Sequence, residues 1–428
     1  MTLADRLRAV LTSPPSQQSS LPRTQPRRVV EPLTDFTDSF DEVFGGRWER
    51  QGRSRSFVVE RSLAADDRIG GSSVGGFAND LERSLEHASL FMRSAAAAPF
   101  LFFDLETTGL SGGAGTYAFL IGCGWFDGGD FVTRQHLLLD FEDEQSMLGA
   151  VASELDRAGV LVSFNGKSFD APVLETRYLL HRLDWCGAGK PHFDVLHPAR
   201  RFWPSSADEG CSLGTLERKL VGVYRHHDVG GFEIPARYFR FVRSGDASLL
   251  GDVLDHNRQD LVSLALITAR LLRLVEDGHD AADDPREAFA LGTVYASAGW
   301  HDRAKDAYRH ALDLCAAGSP SDDTQCEVLR ALAIVERRSR NFDEAAAYWQ
   351  QLVDLPGCSG RVAREAATAL AVHHEHRRRN LELARSFAVR SMAREAPPSW
   401  ESAVRHRLDR LDRKMAGVNE SPLFPSSS

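Results

Sequence analysis

The chain has 428 residues, a length that fits two ordinary domains better than one. Its 43% hydrophobic and 26% charged content lies near the globular average and excludes wholesale disorder. The formal net charge of −9 excludes a surface coated for indiscriminate nucleic-acid binding, so any polyanion must be met by a local patch or by metal ions.

Residues 1–45 are rich in Ser, Pro, Gln and Arg, lack sustained periodicity and are expected to form a disordered lead-in. The opening MTLADRLRAVLTSPPSQQSS has no apolar core of a secretory signal. No apolar run approaches the ~18 residues of a membrane span, so no membrane partner is expected. Six scattered cysteines without a CxxC pair read as reduced thiols in a cytoplasmic protein. RSFVVERSL alternates as a strand of a small hairpin, and residues 81–97 are expected to be helical, with Leu81, Leu85, Ala88 and Met92 on one face.

From Pro99 the texture changes. PFLFFDLE is a compact apolar run ending in acids, as in a buried central strand. TYAFLIGCGWF and DFVTRQHLLLD follow as strands joined by DGG, a hairpin turn signal. EDEQSMLGAVASELDRAG is an amphipathic helix with acids in its first turn. VLVSFN is a short buried strand, and helices follow at DAPVLETRYLLHRL, at CSLGTLERKLVG and from about Ala247 to Val275. The order is α/β, with three antiparallel neighbours first and later strands joined through helices.

Beyond Asp277 strand signals vanish. AFALGTVYASAGWHDRAKDAYRHAL places Leu291, Gly292, Tyr295, Ala304, Tyr308 and Ala311 at the offsets of a tetratricopeptide repeat. Small residues there let two helices approach, and the aromatics fill between units. Leu332, Ala333, Ala345, Trp349 and Leu352 repeat the pattern, and a weaker copy centres on Ala384. The anchors Ala304, Ala345 and Ala384 are 41 and 39 residues apart, so the connections must be longer than in the usual ~34-residue unit.

The chemistry lies in four carboxylates from three places. Asp104 and Glu106 alternate at the end of the first buried strand and so point to one side of a sheet. Asp170 ends SFNGKSFD and opens a helix, and Asp260 lies in the long helix within HNRQDLVSLAL. Acids gathered in this way repel one another and favour hard divalent cations such as Mg²⁺ or Mn²⁺. Two such ions ~3.5–4 Å apart activate water and stabilise the leaving oxygen in phosphodiester hydrolysis. His256, four residues before Asp260, shares its helix face and suits a general base or water-orienting group.

These spacings resemble the DEDD superfamily of ribonuclease-H-like 3′→5′ exonucleases. Its first motif, Asp-x-Glu, is matched by Asp104-Leu105-Glu106, followed by Thr107-Thr108-Gly109. Its second is matched by Asn165 and Phe169-Asp170, and its third by His256 and Asp260, here a histidine at the spacing of the tyrosine type. The blocks FFDLETTGLSGGAGTYAFLIGCG, LVSFNGKSFDAPVLETR, DVLHPARRFW, CSLGTLERKL and HNRQDLVSLA more closely resemble the bacterial YprB-type ribonuclease-H-like domain, whose members often carry tetratricopeptide repeats. The resemblance implies an α/β ribonuclease-H-like domain with a mixed sheet flanked by helices over 46–276. An all-α tetratricopeptide-like domain over 284–415 and a disordered tail over 416–428 follow. It also implies metal ligands Asp104, Glu106, Asp170 and Asp260.

Other positions carry two readings each. Thr107, Thr108, Asn165 and Lys167 are substrate-binding candidates, with Asn165 equally suited to fixing a turn. The glycines Gly112, Gly113 and Gly115 lack GKS/T and open no helix, so they suit a hairpin connection better than a phosphate loop. Asp194 is an outer acid candidate. Arg200, Arg201, Phe202 and Trp203 suit either a single-strand path or a cover over the core. His373, His374 and His376 suit a solvated face better than a metal site. Together these readings predict a two-metal 3′→5′ exonuclease acting on single-stranded nucleic acid or a 3′ end, with repeats that bind a protein partner or extend the substrate path. The alternative is a non-catalytic nucleic-acid-binding adaptor. Choice of RNA or DNA rests on contacts that no spacing reveals.

Overall fold

The computed structural model describes residues 37–51, 54–92, 94–109, 113–205, 210–225, 229–318, 322–392 and 398–419. By internal contacts the chain divides into Met1–Asp38 and Ser39–Ser428, and the second unit holds the sheet and the helical region. Within the expected lead-in, helix α1 (Thr37–Phe44) is formed, with Phe40 and Phe44 buried; residues 1–36 lie outside the described residues.

Seven strands make one mixed sheet. They are β1 (Arg47–Gln51), β2 (Ser54–Leu63), β3 (Phe100–Thr107), β4 (Ala118–Asp127), β5 (Asp130–Leu137), β6 (Val160–Ser163) and β7 (His192–Asp194), in the order β1-β2-β5-β4-β3-β6-β7. β3 lies inside the sheet, antiparallel to β4 and parallel to β6. Covered on both faces, it reads as nearly continuous hydrophobicity rather than alternation. β4 and β5 turn through Gly128 and Gly129, both at positive φ, which is the two-residue hairpin that DGG announces. The expected small hairpin, β1–β2, is an extension of this sheet, because β2 pairs with β5 from Phe57 to Leu63.

Helices cover both faces. On one side Leu148 and Val151 of α3 (Glu144–Arg157), Val173 and Leu174 of α4 (Asp170–Leu180) and Tyr238 of α7 (Ile234–Ser244) pack over Phe103 and Leu105. The other side carries α2 (Val74–Arg83), α5 (Leu196–Phe202), α6 (Leu213–Val221) and the long α8 (Gly251–Asp277). The helix expected over 81–97 divides differently: α2 starts earlier, capped by Ser73, and Leu85–Phe91 is a 3-10 segment. The long helix is also entered through a 3-10 turn, Ala247–Leu250.

The C-terminal region consists of packed helix pairs: α9 (Pro285–Ser297) with α10 (His301–Ala317), α11 (Asp322–Arg338) with α12 (Phe342–Asp354), and α13 (Gly360–His373) with α14 (Leu381–Arg390). α15 (Pro398–Asn419) closes the array and runs into the segment expected as a tail. Ala304, Ala345 and Ala384 are all buried, and Gly292 gives Tyr308 its space, since a Cβ there would enter the ring. The first pair shares its core with the α/β region: Leu272, Val275, Leu291, Tyr295 and Tyr308 belong to one cluster. Tyr295 Oη donates to the Val275 carbonyl at 2.7 Å, and Trp203 Nε1 donates to Glu287 Oε1 at 2.5 Å.

That last bond decides between the two readings of Phe202 and Trp203. Phe202 and Trp203 are not a stacking surface for single strands; both are core residues, 1% and 2% exposed, because α5 turns them onto α9. Arg200 and Arg201 on the same short helix remain exposed. No described helix is long and apolar enough to cross a membrane.

Candidate active site

The register of β3 fixes the first two acids. Asp104 stands opposite Gly122 and Glu106 opposite Leu120 on β4, so both side chains project from the face that α8 covers. The ladder shifts between Glu106 and Thr107, an irregularity of the kind that re-aims a side chain at a strand end. Gly122 has no room for a Cβ because Asn257 and Leu261 of α8 occupy the space. Asn257 is fully buried, and its Nδ2 donates to Asp104 Oδ2 at 2.8 Å and to the Asp104 carbonyl at 3.3 Å. Its Oδ1 accepts from Gln135 Nε2 at 2.9 Å, and that amide also donates to the Leu254 carbonyl at 2.8 Å.

With α8 docked in this way, His256 and Asp260 come to the acids. His256 Nε2 lies 3.6 Å from Asp260 Oδ2 and 3.9 Å from Glu106 Oε1. The histidine therefore sits between the first and third motifs, on the helix face its spacing predicts. Thr107 and Thr108 brace the chain that leaves β3: Thr107 Oγ1 donates to the Gly109 carbonyl at 3.0 Å, and Thr108 Oγ1 accepts from the Tyr117 amide at 2.9 Å. Of the neighbouring glycines, Gly113 and Gly115 are described and Gly112 is outside the described residues.

The second motif is organised by Asp194. Oδ1 accepts the amides of Asn165 at 2.8 Å and Leu196 at 3.2 Å, and Oδ2 accepts that of Lys167 at 3.2 Å. Asn165 takes a positive φ of 68°, and Gly166 fits against Ser163 and Asp170 where a Cβ would clash. Asp170 is thereby held 6% exposed at the start of α4, while Asn165 and Lys167 stand exposed at the rim.

The electrostatics show that the four acids share one field. Burial pushes the Asp104 carboxyl well above its usual range, and the charges of Asp260, Glu106 and Asp170 push it further. Asp170 is raised to about 7, by burial first and then by Asp194. Carboxyls destabilised in this way have the donor chemistry that a hard divalent cation relieves. Among the described residues no three or more acid, histidine or cysteine side chains stand in an arrangement that could hold a metal ion as they are placed. The acid cluster faces a cleft of about 450 Å³ lined by Asp104, Asn165, Arg200, Arg225, His256 and Asp260.

Arg225, Asn257, Gln135 and Gly122 are site residues that sequence reasoning missed. Asn257 had a signal, standing beside His256 in HNRQD. Arg225 had none: it lies in irregular chain after α6, and only the fold brings its Nη2 to 2.6 Å from Asp260 Oδ1. His373 ends α13 and His374 and His376 lie in the π-helical turn that follows; the rings of His373 and His374 pack edge to face at 5.4 Å, and each histidine has a different further neighbour. His373 lies 3.5 Å from Asp343, His374 stacks on Phe387 and His376 lies 3.6 Å from Glu375.

Residues 101–272 match the family RNase_H_2, described as RNase_H superfamily. The protein YprB of Bacillus subtilis (strain 168) is 32% identical over 320 residues, which cover 73% of this chain and 74% of that protein. The crystal structure of BtubC (BKLC) from P. vanneervenii is 16% identical with a TM-score of 0.27, covering 45% of this chain and 91% of its own. The family B DNA polymerase of the hyperthermophilic archaeon Pyrobaculum calidifontis is 13% identical with a TM-score of 0.34, covering 56% of this chain and 33% of its own. Both structures are too distant to add to what the strand order itself shows.

Proposed function

The chain belongs to the RNase H superfamily, in one family with Bacillus subtilis YprB, and on that footing we propose a metal-dependent 3′→5′ exonuclease acting on RNA or DNA. The observation that carries this reading is the Asp104 carboxyl, whose pKa is raised well above its usual range by burial and then by the charges of Asp260, Glu106 and Asp170. A buried carboxyl opposed by acids from three separate chain segments is costly to the fold, and divalent cations would convert that cost into a binding site.

Asp104, Glu106, Asp170 and Asp260 would hold two Mg²⁺ or Mn²⁺ ions. Bound there, the ions would ease deprotonation of water and neutralise charge on the leaving oxygen. His256, between Glu106 and Asp260, takes the proton of the attacking water or holds that water in line. Asn165 and Lys167 at the rim, with Thr108 just past the end of β3, form the approach for the terminal nucleotide, and the buried Thr107 holds the end of β3 in place. The protein acts in the cytoplasm, with the nuclease part over 46–276. The helix pairs, read as tetratricopeptide-like units over 284–415, bind a protein partner or extend the path of a single strand.

Digestion of matched 3′-labelled and 5′-labelled RNA and DNA strands with Mn²⁺ tests the reading. Stepwise loss from the 3′ end is expected, abolished by Asp104→Asn in a protein that still folds. Undiminished cleavage by that variant sinks the mechanism. Absence of metal-stimulated cleavage on every strand favours the adaptor.

A further inference from the structure

Asp260 already has a cation. Arg225 Nη2 forms an ion pair with Asp260 Oδ1 at 2.6 Å, the same nitrogen donates to Ser263 Oγ at 3.3 Å, and Nε donates to Glu217 Oε2 at 2.7 Å. Glu217 is completely buried and also accepts from Gln259, so the root of the guanidinium is pinned by a carboxylate that cannot turn to solvent. Arginine stays charged at any ordinary pH. The acid cluster therefore carries a fixed positive group on one of its four members.

We propose that Arg225 is an internal counter-cation that competes with a divalent ion for Asp260. The inference rests on the metal-dependent reading of this site and adds to it an order of loading. One ion loads onto acids that Arg225 does not touch. A second ion needs Asp260, and it loads only as Nη2 leaves Oδ1, with the Nε–Glu217 bond kept as a pivot. The opposing pair is largely shielded from water, since the side chains of Arg225 and Asp260 are 12% and 17% exposed, so breaking it lowers the affinity for the second ion. The fixed charge also keeps the metal-free cluster from full four-fold repulsion.

Mn²⁺ titration of the full chain, followed by calorimetry and by the electron paramagnetic resonance of free Mn²⁺, tests the proposal without reference to activity. Arg225→Gln alone would strand a buried Glu217, so it is paired with Glu217→Gln. The wild type is expected to bind two ions of separated affinity, and the double variant to tighten the weaker one by about tenfold or more. An unchanged or weakened second affinity in the double variant overturns the proposal while leaving the metal site standing. No Mn²⁺ bound by either protein overturns the metal reading, and the inference with it. A wild-type crystal soaked in Mn²⁺ gives a check that needs no variant. Two ions with Arg225 moved off Asp260 is the expected result, and two ions with that pair intact overturns it.

Discussion

The side-chain amide of Asn257 donates to Asp104 Oδ2 at 2.8 Å, which ties the helix that carries His256 and Asp260 directly to the strand that carries Asp104 and Glu106. Asn257→Ala removes this tie and one hydrogen bond to a charged group, and leaves Gln135 with only the Leu254 carbonyl. The expected loss of stability is about 1–3 kcal/mol, measured by urea denaturation. Nuclease activity is expected to fall further than the stability change explains, because helix and strand lose register at the acids. An active variant with normal kcat would show that the tie is structural only.

Gly122 makes the same docking sterically feasible. A methyl group in its place would meet Asn257 Oδ1 and the Leu261 side chain, so Gly122→Ala forces α8 off the sheet or Asn257 off Asp104. Overpacking of this kind costs about 1–3 kcal/mol. Gly149, inside α3, has open space around its Cβ position, and Gly149→Ala is expected to stabilise by about 0.5–1 kcal/mol through helix propensity. Thermal melts of the two variants should therefore move in opposite directions. Equal shifts would mean that the close approach at Gly122 is soft.

Much of this arrangement was legible in the sequence because it follows from periodicity. Alternation on β3 places Asp104 and Glu106 together, and a four-residue step on α8 places His256 beside Asp260. Positions fixed by tertiary contact were not legible. Arg225 approaches Asp260 from irregular chain 35 residues earlier, and no local pattern marks it. Phe202 and Trp203 read equally as stacking surface or core, and the choice is made by Glu287 on a helix that begins 82 residues after Trp203. Helix starts were displaced where capping chemistry outweighed hydrophobic spacing, as with Ser73 at the head of α2.

Asp194 holds three backbone amides of the second-motif turn, those of Asn165, Lys167 and Leu196. Asp194→Ala leaves them without that acceptor and releases Asn165 from its positive φ of 68°. Stability is expected to fall by about 1–3 kcal/mol, and substrate affinity with it, because Asn165 and Lys167 lose their placement at the rim. Asp194→Asn keeps one acceptor oxygen and should fall between alanine and wild type. Binding of a labelled strand by fluorescence anisotropy reads the ranking, and identical affinities in all three proteins would remove Asp194 from the site.

His136 on β5 provides a pH probe remote from the acids. It is 1% exposed, neither ring nitrogen has a hydrogen-bond partner, and burial together with Arg134 and Arg47 lowers its pKa to about 3. In the unfolded chain it titrates near ~6.5, so between those values the unfolded state takes up the proton first. Its neutral form thus contributes stability that is fully present above pH ~6.5 and is lost as pH falls toward 3, with a limiting slope of about 1.4 kcal/mol per pH unit. His136→Phe is expected to be near neutral at pH 7.5, since no hydrogen bond is lost, and to lessen the acid slope. Part of the slope should remain from His192, bonded to Ser163 Oγ at 2.7 Å and lowered to about 4 by burial and Lys167. Urea denaturation of both proteins at pH 7.5, 6, 5 and 4.5 measures the difference, in which the carboxyls cancel. Parallel curves would mean that His136 reaches water or a proton acceptor in solution.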